Sequence, residues 1–331
     1  MEGFEMGKVK VLTARQAADL IKDGDTVTLS GFVANGIAEA LNAAAEERFL
    51  ETGHPKDLTL FWVAGTGNKD GSHADHYAHE GMVKKVIGGH FNFVPKICEM
   101  LSENKIEGYN VPQGAIAQML RDNAAHKVGT ISHVGIGTFA DPRNGGGRLS
   151  EKTKEDIVKV IELEGQEQLF YPRIPLDVAF IRGTYADELG NITLEKEMAP
   201  LDATSQAMAV HNNGGLVVVQ VERVVKAGHL DPKLVKIPGI YVDAVVECPA
   251  DDPKQSQSIN CTYDPAYAGN TQVPVSSLEP KKLDAKKIIG RRAAMELQPD
   301  KVVNLGIGIP EYISMVANEE GIGDYMTLTV E

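Results

Sequence analysis

Two side chains in this sequence have the type and position that covalent chemistry on a small molecule requires. Glu331 follows the alternating segment TLTV at the end of a predicted strand. A glutamate with an ordinary pKa near ~4.3 is ionised at neutral pH and can act as a nucleophile. Gln113, in the sequence PQG, opens a predicted helix, where its amide either satisfies a helix N–H or faces a ligand. A solvated edge charge is the alternative for Glu331, and a structural amide is the alternative for Gln113.

Three glycine loops, SGFVANG, GIGTF and LGIGIP, each follow an apolar strand. Glycine lets the backbone approach a ligand closely, and a loop that opens onto a helix offers free N–H groups to an anion. None of them is a GxGxxG loop, which argues against a nicotinamide site. Any one of these loops taken alone is best explained as a tight turn between a strand and a helix. Three of them at strand ends predict a ligand-binding edge of an open α/β sheet. The candidate substrate-binding residues are Gly31, Phe32, Gly36, Gly135, Gly137, Gly306 and Gly308.

The histidines at 73, 76 and 79 are the one group with a spacing that suggests metal ligands. On a helix, His73 and His79 would diverge by about 120°, so a shared metal would require an irregular backbone. We therefore predict no metal site. Arg291 and Arg292 would suit a phosphate, but a solvated helix face is the simpler interpretation.

Composition limits the classes of partner. The chain has 331 residues, which suggests two domains, and its formal net charge is −13. An acidic surface argues against nucleic acid or an anionic membrane as partner. Three cysteines without a CxxC pattern suit a reducing compartment, and neither a signal peptide nor a membrane-spanning segment is apparent. We expect a cytoplasmic protein.

Short β-branched runs alternate with amphipathic segments, which predicts an α/β fold with a largely parallel sheet. The predicted strands are 27–30, 58–64, 130–135, 178–183, 216–225, 241–247, 302–305 and 325–330. The predicted helices are 13–23, 37–52, 93–106, 113–127, 203–213, 285–297 and 310–320. The first helix has a capping box of Thr13 and Gln16, and Gly24 is predicted to be its C′ residue.

The pattern breaks in a proline-rich polar stretch and then restarts. The segment from Thr13 and the segment from Asp284 share an order of helix, acidic turn, strand, glycine loop and helix, although chance similarity of two βα units is the alternative. We interpret this as two homologous open α/β halves, the second of which is incomplete because two strands cannot bury their edges and faces alone. The predicted boundaries are 1–248 for the first half, 249–283 for a linker or surface excursion, and 284–331 for the beginning of the second half.

Taken together, these segments resemble the family I CoA-transferases, closest to the fused acetate/propionate CoA-transferase group. The resemblance covers nearly the whole chain and rests on SGFVANGIAEAL, YNVPQGAIAQMLRD, VGIGTFADPRNGGG, FYPRIPLDVAFIRGTYADELGNIT, VVQVERVVKAGHLDP, VNLGIGIPEYI and TLTVE. It implies an α-subunit-like first domain, a β-subunit-like catalytic second domain and a homo-oligomer. It assigns Glu331 as nucleophile and Gln113 as a stabiliser of the oxyanion. The usual Ser-Gly or Asn-Gly continuation after the glutamate is missing, as is most of the expected CoA-binding surface, so these 331 residues alone should be inactive.

The resemblance also implies the chemistry, a ping-pong exchange through a glutamyl anhydride and a glutamyl–CoA thioester. The substrates would be acyl-CoA and short carboxylic acids such as acetate, propionate, butyrate or lactate. Coenzyme A would be a substrate and covalent intermediate, with no tightly bound cofactor. Gly31, Phe32 and Gly36 would form one acyl-pocket wall, opposite Gly306 and Gly308. A CoA-thioester hydrolase and a non-catalytic ligand-binding domain are the alternatives.

Overall fold

The computed structural model describes residues 7–274, 277 and 279–330. The chain divides into two compact units, a first unit that ends at Asn270 and a second unit that begins at Thr271. This division falls within the stretch predicted as linker, and the predicted boundaries at 248/249 and 283/284 stay a prediction. Glu331 lies outside the described residues.

The elements of the first unit alternate along the chain. Its strands are β1 (Lys10–Leu12), β2 (Thr26–Leu29), β3 (Leu58–Trp62), β4 (Val83–Gly88), β5 (Glu107–Asn110), β6 (Gly129–Ser132), β7 (Lys159–Leu163), β8 (Gln166–Pro172), β9 (Val178–Arg182), β10 (Tyr185–Asp187), β11 (Ile192–Thr193), β12 (Leu216–Val221), β13 (Arg223–Val225), β14 (Val235–Ile237) and β15 (Ala244–Glu247). Its helices are α1 (Ala14–Ala18), α2 (Glu39–Thr52), α3 (Pro95–Ser102), α4 (Gln113–Ala124) and α5 (Ala203–Asn212).

Eight parallel strands form the main sheet, in the order β1-β15-β12-β9-β2-β3-β4-β5. Its central strands β12, β9, β2 and β3 are buried along almost their whole length, because helices cover both faces of the sheet. In β3, Leu58, Leu60 and Trp62 pack in the core beneath α1, α2 and α3, whereas Phe61 packs in the core beneath α4 and α5. The predicted α/β class with a largely parallel sheet is confirmed.

Two smaller sheets correct the strand predictions. The segment 130–135 was predicted as a strand of the parallel sheet, but β6 belongs to an antiparallel sheet of order β6-β8-β7. The single strand predicted over 216–225 is wrong, because β12 lies in the main sheet and β13 in a sheet of order β13-β10-β11-β14. An apolar run indicates where the backbone is extended, but it does not show where the chain leaves one sheet and pairs with the strands of another.

The first helix begins as predicted and ends earlier. Thr13 Oγ1 accepts the N–H of Gln16 at 3.1 Å, which confirms the capping box. The predicted C′ role of Gly24 is wrong, because α1 ends at Ala18 and the Gly24 N–H donates to the carbonyl of Lys56. The Arg48 guanidinium donates hydrogen bonds to the carbonyls of Ala18 and Ile21, both at 2.7 Å. These carbonyl oxygens would otherwise need hydrogen bonds from within a longer helix.

The second unit contains α6 (Ala285–Ala294), β16 (Val302–Leu305), α7 (Glu311–Glu319) and β17 (Thr327–Val330). The two strands are parallel partners, and the two helices pack against each other. The order α6, β16, glycine loop, α7 matches the order α1, β2, glycine loop, α2 in the first unit, as the predicted repeat requires. Among the helices of residues 7–274, 277 and 279–330, none is long and apolar enough to cross a membrane.

Candidate active site

Because the eight strands of the main sheet are parallel, their carboxyl ends lie at one edge, where ligands of open α/β sheets bind. The loops after β2, β3, β4 and β9 and the start of α4 come to this edge. Two of the sequence predictions, the SGFVANG loop and Gln113, therefore lie at the same edge of the first unit.

The SGFVANG loop is a tight turn held against the loop after β3. Phe32 and Asn35 exchange backbone hydrogen bonds of 2.9 and 3.0 Å. Gly31 has a φ of +113°, and a Cβ there would lie 2.1 Å from Ile37 Cδ1, so neither the angle nor the space admits a side chain. Gly36 also has a positive φ, of +68°. Packing thus accounts for Gly31 and backbone conformation accounts for Gly36, and a role for Gly31, Phe32 and Gly36 in an acyl pocket stays a prediction.

The other glycine candidates lie elsewhere. Gly135 and Gly137 follow the antiparallel strand β6 rather than a strand of the main sheet, which corrects their predicted setting. A Cβ on Gly135 would lie 2.6 Å from Tyr171 Oη, so packing alone explains this glycine. Gly306 and Gly308 follow β16 in the second unit, where the Gly308 N–H donates to Glu311 Oε1 at 2.8 Å. Their role in substrate binding also stays a prediction.

Gln113 is the first residue of α4, immediately after the N-cap Pro112. Its side chain is exposed and forms no hydrogen bond within the part of the chain that the structure describes. The loop after β4 passes beneath it at Gly89, where a Cβ would lie 3.1 Å from Gln113 Cβ. This arrangement leaves the amide free, as a role toward a ligand requires, and does not give it the structural role that was the alternative.

A cleft of about 570 Å³ opens in the first unit, and sequence reasoning missed it. One wall is the loop after β3, from Asn68 to His73, and the floor includes Ala34 and Ile37. The opposite wall is the segment 253–260, which the sequence predicted only as linker or surface excursion. Its polar, proline-containing composition carries no signal of a binding wall.

Arg182 explains how that segment is held. This arginine ends β9, is only 4% exposed, and pairs through Nε with Glu197 Oε2 at 3.0 Å. Its Nη2 donates to the carbonyl of Gln255 at 2.9 Å, and its Nη1 donates to the carbonyl of Ser256. Burial raises the pKa of the Glu197 carboxyl, and the guanidinium opposes that rise. A buried ion pair thus fixes one wall of the cleft.

The three histidines are joined by two glutamates of α2 instead of converging on one point. Glu39 accepts from His73 Nδ1 at 2.9 Å and from His76 Nε2 at 2.8 Å. Glu46 accepts from His79 Nε2 at 2.7 Å and from His76 Nδ1. In the described residues, no three His, Cys, Asp or Glu side chains are arranged to hold a metal ion.

These hydrogen bonds between histidines and glutamates predict a pH range in which the protein is most stable. Burial opposes ionisation of Glu39, but hydrogen bonds from His73 and His76 outweigh it and lower its pKa to about 2. Its contribution, on the order of 2–3 kcal/mol, is complete above the unfolded pKa of about 4.5 and is lost as pH falls toward 2. Burial alone would lower the pKa of His76, but the neighbouring carboxylates of Glu39 and Glu46 outweigh burial and raise it. The contribution of His76 to the free energy of unfolding is therefore complete below its unfolded pKa of about 6.5. That contribution is lost as the pH rises through the higher pKa of the folded state.

Urea unfolding of the parent between pH 3 and 9 should therefore show its highest midpoint between about pH 4.5 and 6.5 from these groups. His76→Gln should remove the decline on the alkaline side and should also weaken the decline on the acid side, because His76 is one of the two histidines that lower the pKa of Glu39. A variant that declines as the parent does would contradict the assignment.

Comparison with known proteins shows clear relatives. The family model described as Coenzyme A transferase matches residues 11–248. The acetate CoA-transferase YdiF of Escherichia coli K12 is 42% identical over 328 residues, which are 98% of this chain and 61% of that protein. The caffeate CoA-transferase of Acetobacterium woodii is 40% identical over 322 residues, 97% of this chain and 61% of that protein. The chain thus spans about three fifths of the length of these curated relatives.

The fold agrees with this likeness. The crystal structure of the acyl-CoA transferase YdiF from E. coli O157:H7, as a thioester complex with CoA, has a TM-score of 0.90 and 40% identity. The match covers 98% of this chain and 62% of that one. Glutaconate coenzyme A-transferase from Acidaminococcus fermentans, at 22% identity and a TM-score of 0.58, shares the fold over 72% of this chain and 76% of that one.

Proposed function

Because the chain belongs to the coenzyme A transferase family, we propose that it forms part of an acyl-CoA:carboxylate CoA-transferase acting on short carboxylic acids. The observation that carries the proposal is the 42% identity to an acetate CoA-transferase over almost the whole chain. The free amide of Gln113 at the carboxyl edge of the sheet supports it. The polypeptide that corresponds to the rest of the relatives' length would complete the second half, in a cytoplasmic homo-oligomer.

In this proposal Glu331, directly after β17, is the nucleophile. Its carboxylate attacks the acyl-CoA carbonyl, the C–S bond breaks, and CoA leaves as a thiolate from an acyl-glutamyl anhydride. The thiolate then attacks the glutamyl carbonyl, which expels the first acid as a carboxylate and leaves a glutamyl–CoA thioester. A second carboxylate enters and reverses these steps, so that CoA leaves on the new acid.

A carboxylate nucleophile suits this exchange, because a mixed anhydride can be attacked at either carbonyl. One thioester replaces another, so the exchange is close to thermoneutral. Both covalent intermediates hydrolyse in water, and the site must therefore exclude water while it holds them.

Gln113→Ala is expected to lower kcat by about 10²–10³-fold, since each tetrahedral intermediate places negative charge on an oxygen that the amide would stabilise. The measurement is steady-state transfer of CoA from acetyl-CoA to propionate by the protein expressed from its gene. Gln118→Ala, an exposed position on the same helix, is the matched control and should retain parental kcat. Equal rates for the two variants would remove Gln113 from the reaction.

The function itself is tested by measuring CoA exchange with and without an acceptor acid. With acetyl-CoA as donor, a transferase forms a new acyl-CoA only when an acceptor acid such as propionate, butyrate or lactate is present. The rates with the different acids then show which acid the enzyme prefers. Release of free CoA at the same rate without any acid would instead show a thioester hydrolase. Absence of both reactions would contradict the proposal.

A further inference from the structure

A second pocket of the first unit lies at the carboxyl end of β5, apart from the large cleft. Its volume is about 290 Å³, and it is lined by Asn110, Phe139, Asn144, Gly145, Gly147, Arg148 and Leu149. Asn110 is the last residue of β5 and precedes Gln113 by three residues, so their Cα atoms are at most about 11 Å apart. A ligand whose carboxylate contacts the Gln113 amide can therefore reach this pocket.

The three consecutive glycines of the NGGG segment shape the pocket. Gly145, Gly146 and Gly147 have φ values of +117°, +63° and +71°. A Cβ on Gly147 would lie 2.2 Å from the carbonyl oxygen of Asn110, and the Asn110 N–H donates to the Gly147 carbonyl at 2.7 Å. A Cβ on Gly146 would lie 2.5 Å from Asp156 Oδ1. The loop is thus fixed against the end of β5, and the pocket is part of the fold rather than a gap between surface side chains.

The walls combine apolar surface with unused hydrogen-bonding groups. The Phe139 side chain is 55% exposed. The side-chain amides of Asn110 and Asn144 form no hydrogen bond within the part of the chain that the structure describes. The Arg148 guanidinium donates through Nη1 to Asp156 Oδ1 at 2.6 Å, which leaves Nε and Nη2 without a partner among the described residues. The pocket therefore offers an aromatic face, a cation with spare donors and two free amides.

A two- or three-carbon acid does not fill this pocket. Cavities of ~150 Å³ hold a benzene ring, and 290 Å³ leaves room for a ring with a substituent. Aromatic pairs gain stabilisation beyond the area that they bury, and a guanidinium is attracted to the face of a ring. The walls therefore favour an aromatic ring over an aliphatic chain, and the free amides favour a ring that carries a hydroxyl.

We propose that this pocket binds the ring of an aromatic acid, so that 3-arylpropionates with a ring hydroxyl accept CoA alongside the short acids. Two methylenes separate the carboxylate of such an acid from its ring, a span that the distance between Gln113 and Asn110 accommodates. The ring contacts Phe139 and Arg148, and its hydroxyl forms a hydrogen bond with Asn144. The inference rests on the proposed function, which supplies the CoA exchange.

The exchange needs no further reactant. The carboxylate of the aromatic acid attacks the carbonyl of the glutamyl–CoA thioester, the C–S bond breaks, and CoA leaves as a thiolate from a mixed anhydride. The thiolate then attacks the carbonyl of the aromatic acyl group, which frees the glutamate carboxylate. With acetyl-CoA as donor, the products are the arylpropionyl-CoA and acetate, without oxidation or reduction.

Steady-state CoA transfer from acetyl-CoA to 3-(4-hydroxyphenyl)propionate, 3-phenylpropionate, hexanoate and propionate tests the assignment. The parent should use the hydroxyphenyl acid with a kcat/KM about tenfold above that for hexanoate, which has no ring. Phe139→Ala should lower the ratio of kcat/KM for the hydroxyphenyl acid to that for propionate about tenfold. Leu163→Ala, which removes a 49% exposed side chain at the end of β7, is the matched control and should keep the parental ratio. An unchanged ratio in Phe139→Ala would overturn the proposal.

Asn144→Ala tests the contact with the ring hydroxyl, and the two aryl acids serve as each other's control. This variant should lower the ratio of kcat/KM for the hydroxyphenyl acid to that for 3-phenylpropionate about fivefold, the effect of losing one hydrogen bond between uncharged groups. A parental ratio would contradict the assignment of Asn144 to the hydroxyl.

The same acids separate this inference from the proposed function. Transfer to propionate without transfer to either aryl acid would overturn the inference and leave the function standing. Isothermal titration with 3-(4-hydroxyphenyl)propionate covers the reverse case. Binding that Phe139→Ala weakens about tenfold, in a protein that transfers CoA to no acid, would support the pocket and contradict the transferase.

Discussion

Glu331→Gln is expected to abolish CoA transfer, with a loss of at least about 10⁴-fold, because an amide cannot form the anhydride or return CoA to a carboxylate. Denaturing mass spectrometry gives the sharper measurement. The parent, incubated with acetyl-CoA, should carry a CoA adduct that maps to the peptide containing Glu331 and disappears when acetate is added. The variant should carry none.

Glu296→Gln is the matched control for this prediction. Its carboxylate lies in the same unit and is 73% exposed, and among the described residues it pairs only with Arg292 on the helix surface, an interaction that contributes little to stability. This variant should keep the adduct and the parental rate. A CoA adduct that persists in Glu331→Gln, or maps to another residue, would remove Glu331 from the mechanism.

Arg182→Leu is expected to reduce the free energy of unfolding by about 3–5 kcal/mol, since it leaves the Glu197 carboxylate buried without its partner. The variant also loses the guanidinium hydrogen bonds to the carbonyls of Gln255 and Ser256. Urea unfolding followed by the fluorescence of Trp62, the only tryptophan of the chain, reports on the first unit.

The double variant Arg182→Leu with Glu197→Leu distinguishes an unpaired charge from general damage. Replacing both members of a buried pair by apolar residues is often close to neutral, so the double variant should be more stable than Arg182→Leu alone. Arg15→Ala, which breaks exposed pairs with Asp19 and Glu51 in the first unit, should destabilise that unit much less than Arg182→Leu does. A double variant as unstable as the single one would show that the carbonyl hydrogen bonds, and not the charge, dominate.

Some elements could be predicted from local pattern alone. The helices that begin at Glu39, Gln113 and Ala203 are rich in alanine, which favours helix, and they begin within two residues of the predicted starts. In contrast, β5 has the sequence EGYN, which has no β-branched run, and it forms a strand because β4 and the returning segment at Arg148 pair with it. Its conformation depends on neighbours that lie far away in the sequence.

The roles of the candidate site residues stay predictions, and the sequence showed only some of the features that the structure places at the edge of the sheet. Gln113 stood out because PQG marks a helix start, and the structure leaves its amide free at the carboxyl edge of the sheet. The metal-like spacing of His73, His76 and His79 could not reveal that Glu39 and Glu46, one helical face on α2, would take up four of their ring nitrogens.

The sequence by itself determined the α/β class, the repeated order of helix, strand and glycine loop, and the family, because these depend on periodicity and on short motifs. Only the tertiary structure decided that residues 253–260 form a wall of a cleft. Their composition is that of a linker, and what holds them is Arg182, more than 70 residues earlier in the chain, through hydrogen bonds to two backbone carbonyls. Every residue has a backbone carbonyl, so an anchor of this kind leaves no mark in the sequence of the segment it holds.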